Sequence, residues 1–268
     1  MAGNPRKSAN PAFEATSGQN RHREANTLLS NGKVPSVRKQ APNSRHRWTD
    51  HISGEKAIDL VEATAHAITI KRPLNLFVTI HFEKADLSPG WREQHAIGEW
   101  LKRAGQWLGL RGIPNTFLWI LEHATGTGLH VHLLLHCPPE YRSDFTKKGK
   151  KDWLTKAGMA PTDRHAIHYE PVGPRNYDPG TATRKQQGTY LRQVTGVLRY
   201  HLEGIDPDGT TPTVITGGKL LAEMLRIEPK YSNPIYGRRV SRSQNIGKTA
   251  RDRYHADRAG QAVKGLAG

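Results

Sequence analysis

Apolar and polar positions alternate from Leu74 to Glu83: Leu76, Val78, Ile80 and Phe82 take one phase, and Asn75, Phe77, Thr79, His81 and Glu83 the other. A period of two predicts a strand with one buried face. From Trp91 to Leu110 the period lengthens. Trp91, Ile97, Trp100, Leu101, Ala104, Trp107 and Leu108 fall near helical spacing, and Gly109, Gly112 and Pro114 end the run, which predicts a helix. Two more strands are expected at Thr116 to Glu122 and His130 to His136, joined into a hairpin by the glycine-rich turn His123 to Leu129. Cys137-Pro138-Pro139 stops the second strand, and a helix across Glu140 to Lys156, a strand at Ala166 to Val172 and a helix from Thr189 to Leu202 complete the series. The order β, α, β, β, α, β, α predicts an α+β fold, an antiparallel sheet with helices packed on one face.

The two ends of the chain lack this patterning. Residues 1–47 hold nine Lys/Arg against two Asp/Glu, and residues 226–268 hold ten against three, so each end carries +7 of the formal +16. Residues 48–225 are left with +2 and most of the apolar side chains. The division expected is a disordered basic arm (1–47), a globular domain (48–225) and a basic C-terminal tail (226–268). Like-charged ends around a near-neutral body suit a polyanionic partner, and nucleic acid is the expected one. An acidic membrane surface calls for an amphipathic basic helix, and neither end shows a clean apolar stripe.

The longest apolar run, Phe117 to Leu121, is far short of the roughly 18 residues that span a bilayer, and Met1 leads into polar sequence. No membrane span and no signal peptide are expected. Cys137 is the only cysteine, so the chain is read as one for a reducing, cytoplasmic compartment.

Candidate chemistry concentrates in the hairpin. On its second strand His130, His132, Leu134 and His136 project to one side and Val131, Leu133 and Leu135 to the other. Expecting the helices on the apolar side leaves His130 and His132 about 7 Å apart on an open face. Glu122 shares a face of the first strand with Ile120 and Leu118. Provided that face is the histidine face, a carboxylate meets both imidazoles. Two histidines and one carboxylate suit a catalytic divalent ion, because a structural zinc takes four closed ligands. His81, His123 and His136 are expected behind the ligands or facing substrate.

The run Glu122-His-Ala-Thr-Gly-Thr-Gly-Leu-His130-Val131-His132-Leu-Leu-Leu resembles the metal motif of HUH endonucleases, two histidines flanking one hydrophobic residue. The strand Phe77 to Glu83 is similar to the apolar strand that precedes this motif in rolling-circle replication initiators. The resemblance covers roughly Leu74 to Gly204. It implies a helix-covered antiparallel sheet of ferredoxin or RRM-like topology, magnesium or manganese as the ion, and a nucleophilic tyrosine on a later helix.

On the Thr189 to Leu202 helix, Leu191, Val194, Leu198 and Leu202 are expected to form the buried stripe, with Val197 beside it. Tyr200 then lies away from the stripe, beside Gln193 and Gly196, and Tyr190 lies on its flank. Tyr200 is the expected nucleophile and Tyr190 the alternative. Val197-Leu-Arg-Tyr200-His-Leu-Glu203 looks like the family's tyrosine motif, in which a lysine commonly follows three residues later. Glu203 stands there in this chain, and Arg192 and Arg199 are candidates for the missing positive charge. Arg238, Arg239 and Arg242 are expected to contact phosphates. Gly247-Lys248-Thr249 ends like a phosphate-binding Walker loop, but Arg242 occupies the required first glycine.

The resemblance implies a metal-dependent endonuclease and strand transferase acting on single-stranded DNA. It would form a 5′-phosphotyrosyl link, as in the initiation of rolling-circle replication of a plasmid or phage at an origin, with host helicase and polymerase as partners. Transposases and relaxases use the same chemistry. A nonenzymatic DNA-binding protein and a zinc hydrolase that activates water are the competing expectations.

Overall fold

The computed structural model describes residues 48–87, 92–161, 163–209 and 219–266. The arm expected over residues 1–47 lies outside the described residues, as does Trp91. A short strand β1 (Trp48–Thr49) precedes helix α1 (Gly54–Thr69), which the sequence reading did not assign. Small residues build its buried side: Ala57, Leu60, Ala63, Thr64 and Ala67 recur at helical spacing. Strand β2 (Leu76–His81), helix α2 (Glu93–Gly109), and the hairpin β3 (Phe117–Ala124) and β4 (Gly128–Leu135) follow where the patterning puts them.

The helix expected over 140–156 is interrupted. Helix α3 (Arg142–Lys148) widens into a π turn (Gly149–Trp153) and closes with one turn of α-helix (Leu154–Lys156). Strand β5 (Ile167–Pro171) leads to helix α4 (Arg184–His201), which begins earlier than expected, at a capping box. Its Thr183 hydroxyl accepts from the Gln186 backbone N–H, and the Gln186 side chain accepts from the Thr183 N–H.

Residues 226–266, read from composition as a tail, supply structure of their own. After the short helix α5 (Leu221–Leu225) come strands β6 (Ile235–Tyr236) and β7 (Val240–Arg242) and helix α6 (Lys248–Leu266). β6 pairs with β1. β7 joins the main sheet, whose order is β5-β2-β4-β3-β7 with every neighbour antiparallel. Arg251 of α6 and Arg242 of β7 both bind the Asp59 carboxylate of α1, at 2.8 and 2.7 Å. The C-terminal segment is thereby fastened to the domain by charge as well as by strand pairing.

Helices cover both faces of the sheet, which corrects the expectation of one. On one face Val78, Ile80, Trp119, Leu121, Val131 and Leu133 pack against α2 and the 142–157 segment, with Trp100, Phe145 and Trp153 at the centre. On the other face Leu118, Ile120 and Leu134 are as apolar as anything opposite them. They pack under α1 and α4, against Leu60, Ala63, Tyr190, Val194 and Leu198. Only part of the histidine face is polar, and burial of its apolar half draws the two extra helices over it. No described helix is long and apolar enough to cross a membrane.

Candidate metal centre

Strand register decides whether the carboxylate meets the histidines. Glu122 of β3 pairs directly with His130 of β4, and Ile120 with His132. Directly paired residues point to the same face, so Glu122, His130 and His132 converge. The Glu122 Oε2 atom lies 3.6 Å from His130 Nε2 and 3.3 Å from His132 Nε2. One ligand atom from each of the three residues lies within 4.8 Å of the other two.

The remaining ring nitrogens are held from behind. His130 Nδ1 donates to the Gly128 carbonyl at 3.0 Å, which turns Nε2 toward Glu122. His132 Nδ1 is hydrogen-bonded to Thr79 Oγ1 at 3.0 Å. Gly128 has φ of +67°, and a Cβ there would collide with the Glu83 carboxylate. The Glu83 side chain is exposed and can move, so it is the positive φ that favours glycine at the residue whose carbonyl orients His130.

Electrostatics favour a neutral His132 beside an ionised Glu122. Burial pushes His132 below the usual imidazole range, opposed by the neighbouring Glu122 carboxylate. Burial alone would raise Glu122, but its contacts with His130 and His132 outweigh that and hold the carboxyl well below the ordinary range. His132 Nε2 is buried with no aligned hydrogen-bond partner. A cation held between this buried, unpartnered nitrogen and the carboxylate 3.3 Å away would satisfy both. Two imidazoles and one ionised carboxylate fit a divalent metal ion, and the three residues can hold one.

His201, which the sequence reading passed over, lies fully buried behind the ligands. Its ring stacks on His132 with centroids 5.0 Å apart and planes 20° apart, and Phe77 packs on both. Burial keeps it neutral. His81 lies beside His130, ring centroids 5.1 Å apart, and burial followed by the His130 charge lowers it to about 4. His136 does not belong to this centre. It faces a different cleft, and its Nδ1 donates to the Pro73 carbonyl at 2.9 Å. The strand carries it too far along the ladder from His132.

The two tyrosines of α4 have opposite surroundings. Tyr200 is 44% exposed, its ring centroid 5.4 Å from that of His132, and it lines one cavity of about 1190 Å³ with Glu122, His130 and His132. Tyr190 is 0% exposed, stacks on Tyr177 at 4.4 Å, and donates its hydroxyl to the Leu74 carbonyl. The buried residues of α4 are Tyr190, Val194, Leu198 and His201, whereas Leu191, expected in the stripe, is 48% exposed. Val194, Leu198 and Leu202 are buried as expected, and Tyr190, stacked on Tyr177, takes the core place expected of Leu191.

Burial and the Glu122 and Glu203 carboxylates raise the Tyr200 phenol above its usual range, and Lys230 opposes them. The Lys230 ammonium pairs with Glu203 at 2.8 Å and lines the same cavity. No local pattern in the sequence connects residue 230 to the tyrosine helix. Arg192 and Arg199 are exposed on α4 and do not line the cavity. Lys84 after β2, Lys150 in the π turn and Arg164 ahead of β5 do line it.

Two expected phosphate contacts are structural. Arg239 is buried, and its guanidinium donates to Ser232 Oγ, the Thr49 carbonyl and the Asn233 carbonyl at 2.8, 2.8 and 2.9 Å. Arg242 is committed to Asp59. Both ran with Arg238 in a basic cluster, but strand alternation and the β1–β6 ribbon turn Arg239 inward, and only Arg238 of the three is exposed. No protein-family model and no curated protein matches the chain.

Proposed function

We propose that this chain is a metal-dependent, tyrosine-type endonuclease and strand transferase for single-stranded DNA. The observation that carries the reading is the presence of an accessible phenol, Tyr200, in the same cavity as the convergent Glu122, His130 and His132. The motif resemblance and the basic charge add support, and the resemblance favours initiation of rolling-circle replication of a plasmid or phage, with host helicase and polymerase acting downstream. Magnesium or manganese is the expected ion.

When bound, a divalent cation would neutralise charge on the nonbridging oxygens of the scissile phosphodiester. Glu122, His130 and His132 hold that position rigidly, because Gly128 and Thr79 fix both rings. Tyr200, half exposed, lines the same cavity. Its oxygen attacks phosphorus and the bond to the 3′ oxygen breaks, leaving a 5′-phosphotyrosyl link and a free 3′-hydroxyl. The phenolic proton leaves to solvent, and the departing 3′ oxygen takes one up. Lys230 places a positive charge beside the two carboxylates that otherwise hold the proton on Tyr200. Lys84, Lys150 and Arg164 offer positive charge for phosphate contacts along the cavity wall.

The test is incubation of the full chain with single-stranded origin DNA and Mn²⁺, followed by denaturation and a search for covalent protein–DNA adducts. An adduct formed by the wild type and by Tyr190→Phe, and lost in Tyr200→Phe, supports the reading. Cleavage that persists in Tyr200→Phe with water oxygen in the product overturns it in favour of a hydrolase. DNA binding with no cleavage of any origin sequence overturns it in favour of a nonenzymatic binder.

A further inference from the structure

A second cleft, of about 880 Å³, opens at the opposite end of the same strands. Leu76 pairs with Leu135 at that end and His81 with His130 at the other, so the two sites are five residues, or roughly 17 Å, apart along the ladder. No member of the Glu122, His130 and His132 group lines this cleft.

Its charged side chains are Lys71, Arg142, Arg175, Glu140 and Asp178. The Asp178 carboxylate is already engaged, accepting from the Gly180 N–H and the Thr181 hydroxyl at 2.9 Å each, and Glu140 is exposed at the rim. Arg142 is half-buried and held by carbonyls alone. Its Nε donates to Cys137 O at 3.4 Å and its Nη1 to Arg175 O at 3.0 Å, while Nη2 is buried with no partner. A half-buried guanidinium fixed by neutral carbonyls, with one nitrogen unpartnered and only the Glu140 carboxylate at the rim to offset its charge, is a costly arrangement that an anion completes. Lys71 and Arg175 add exposed positive charge at the same mouth. Pro138, Pro139 and Pro171 form a rigid apolar wall beside these cations.

We propose that this cleft is a nucleotide-binding subsite, with the phosphate at Arg142, Lys71 and Arg175 and the planar base against the proline wall. Its volume lies in the range of small-ligand sites, about 300 to 1,000 Å³. A free nucleotide and one nucleotide of a strand present the same chemistry, and the experiment separates them.

The full chain carrying Tyr200→Phe, in EDTA, is titrated with deoxyadenosine monophosphate by calorimetry and with a labelled thymidine oligonucleotide by fluorescence anisotropy. Neither metal nor cleavage contributes, so the result is independent of the nicking reading. Saturable binding of the mononucleotide, weakened about tenfold or more by Arg142→Gln and by the exposed pair Lys71→Gln/Arg175→Gln, is the expected result and identifies a free nucleotide. The same weakening seen for the oligonucleotide alone supports the site and assigns it to a strand. The Lys71→Gln/Arg175→Gln variant keeps the inference testable should Arg142→Gln fail to fold. Unchanged affinity for both probes in that folded variant overturns the inference, and so does mononucleotide binding lost only on Glu122→Gln.

Discussion

Glu122 and His130 stand directly across the β3–β4 ladder from each other, and the same carboxylate oxygen reaches His132 two residues further along β4. A one-residue slip of the hairpin would send the carboxylate to the opposite face. The turn Thr125–Thr127, with Gly126 and Gly128 both at positive φ, therefore sets the metal site as much as the ligands do.

Metal binding should be readable as stability. A ligand that binds only the folded chain adds about 2.7 kcal/mol at a hundredfold excess over Kd, roughly 5 to 10 °C in Tm for a domain of this size. Mn²⁺ is expected to raise the Tm of the wild type and to leave Glu122→Gln and His132→Gln unmoved. Equal Mn²⁺ shifts in wild type and both variants would place the ion elsewhere.

The tyrosines should separate stability from chemistry. Tyr200→Phe removes a hydroxyl with no protein partner needed for packing and is expected to change stability by under about 0.5 kcal/mol while abolishing the covalent adduct. Tyr190→Phe removes the buried hydroxyl that donates to Leu74 and is expected to cost about 1 kcal/mol with the adduct retained. Urea unfolding alongside the adduct assay checks both, and an adduct lost only in Tyr190→Phe would reverse the assignment.

What the sequence showed, it showed through local periodicity. Strand alternation put His130 and His132 side by side and gave Glu122 a face, and one turn of register settled that the faces coincide. Local patterns do not carry long-range packing. The alanine-rich side of α1 gave a weak signal because small residues mark a close helix contact without raising hydrophobicity. The apolar half of the histidine face, Leu118, Ile120 and Leu134, was visible but its cover was not. Lys230 reaches Tyr200 from a segment thirty positions on, and Arg239 is turned inward by pairing between residues nearly the whole domain apart. Composition read those last residues as tail because charge density cannot distinguish a solvated arginine from one holding carbonyls.

Arg238 and Arg239 are neighbours with opposite expected phenotypes. Arg239→Ala leaves Ser232, Thr49 and Asn233 without their donor in a buried place and is expected to cost about 2 to 4 kcal/mol. Arg238→Ala, on the exposed side, is expected to leave stability unchanged and to reduce the salt dependence of DNA binding by about one counterion. Denaturant titration and binding at several salt concentrations distinguish them. A stable Arg239→Ala with weakened DNA binding would return that residue to the interface.

The charge fastening of α6 should make stability acid-sensitive. Burial alone would raise the Asp59 carboxyl, but its bonds to Arg242 and Arg251 outweigh that and lower it below the reference value of 3.8. A carboxyl with a depressed folded pKa contributes stability that is fully present above 3.8 and is lost as pH falls through the lower folded value. Above that window the contribution is constant. Asp59→Asn removes the proton-linked step and is therefore expected to be less stable than wild type at neutral pH, with the difference shrinking as pH falls below about 4. Glu62 still pairs with Arg251 at 2.7 Å, so the variant should remain folded at neutral pH. Urea midpoints of wild type and Asp59→Asn across this range measure the effect, and a difference independent of pH would show that the α1–α6 contact is held by packing rather than by this carboxylate.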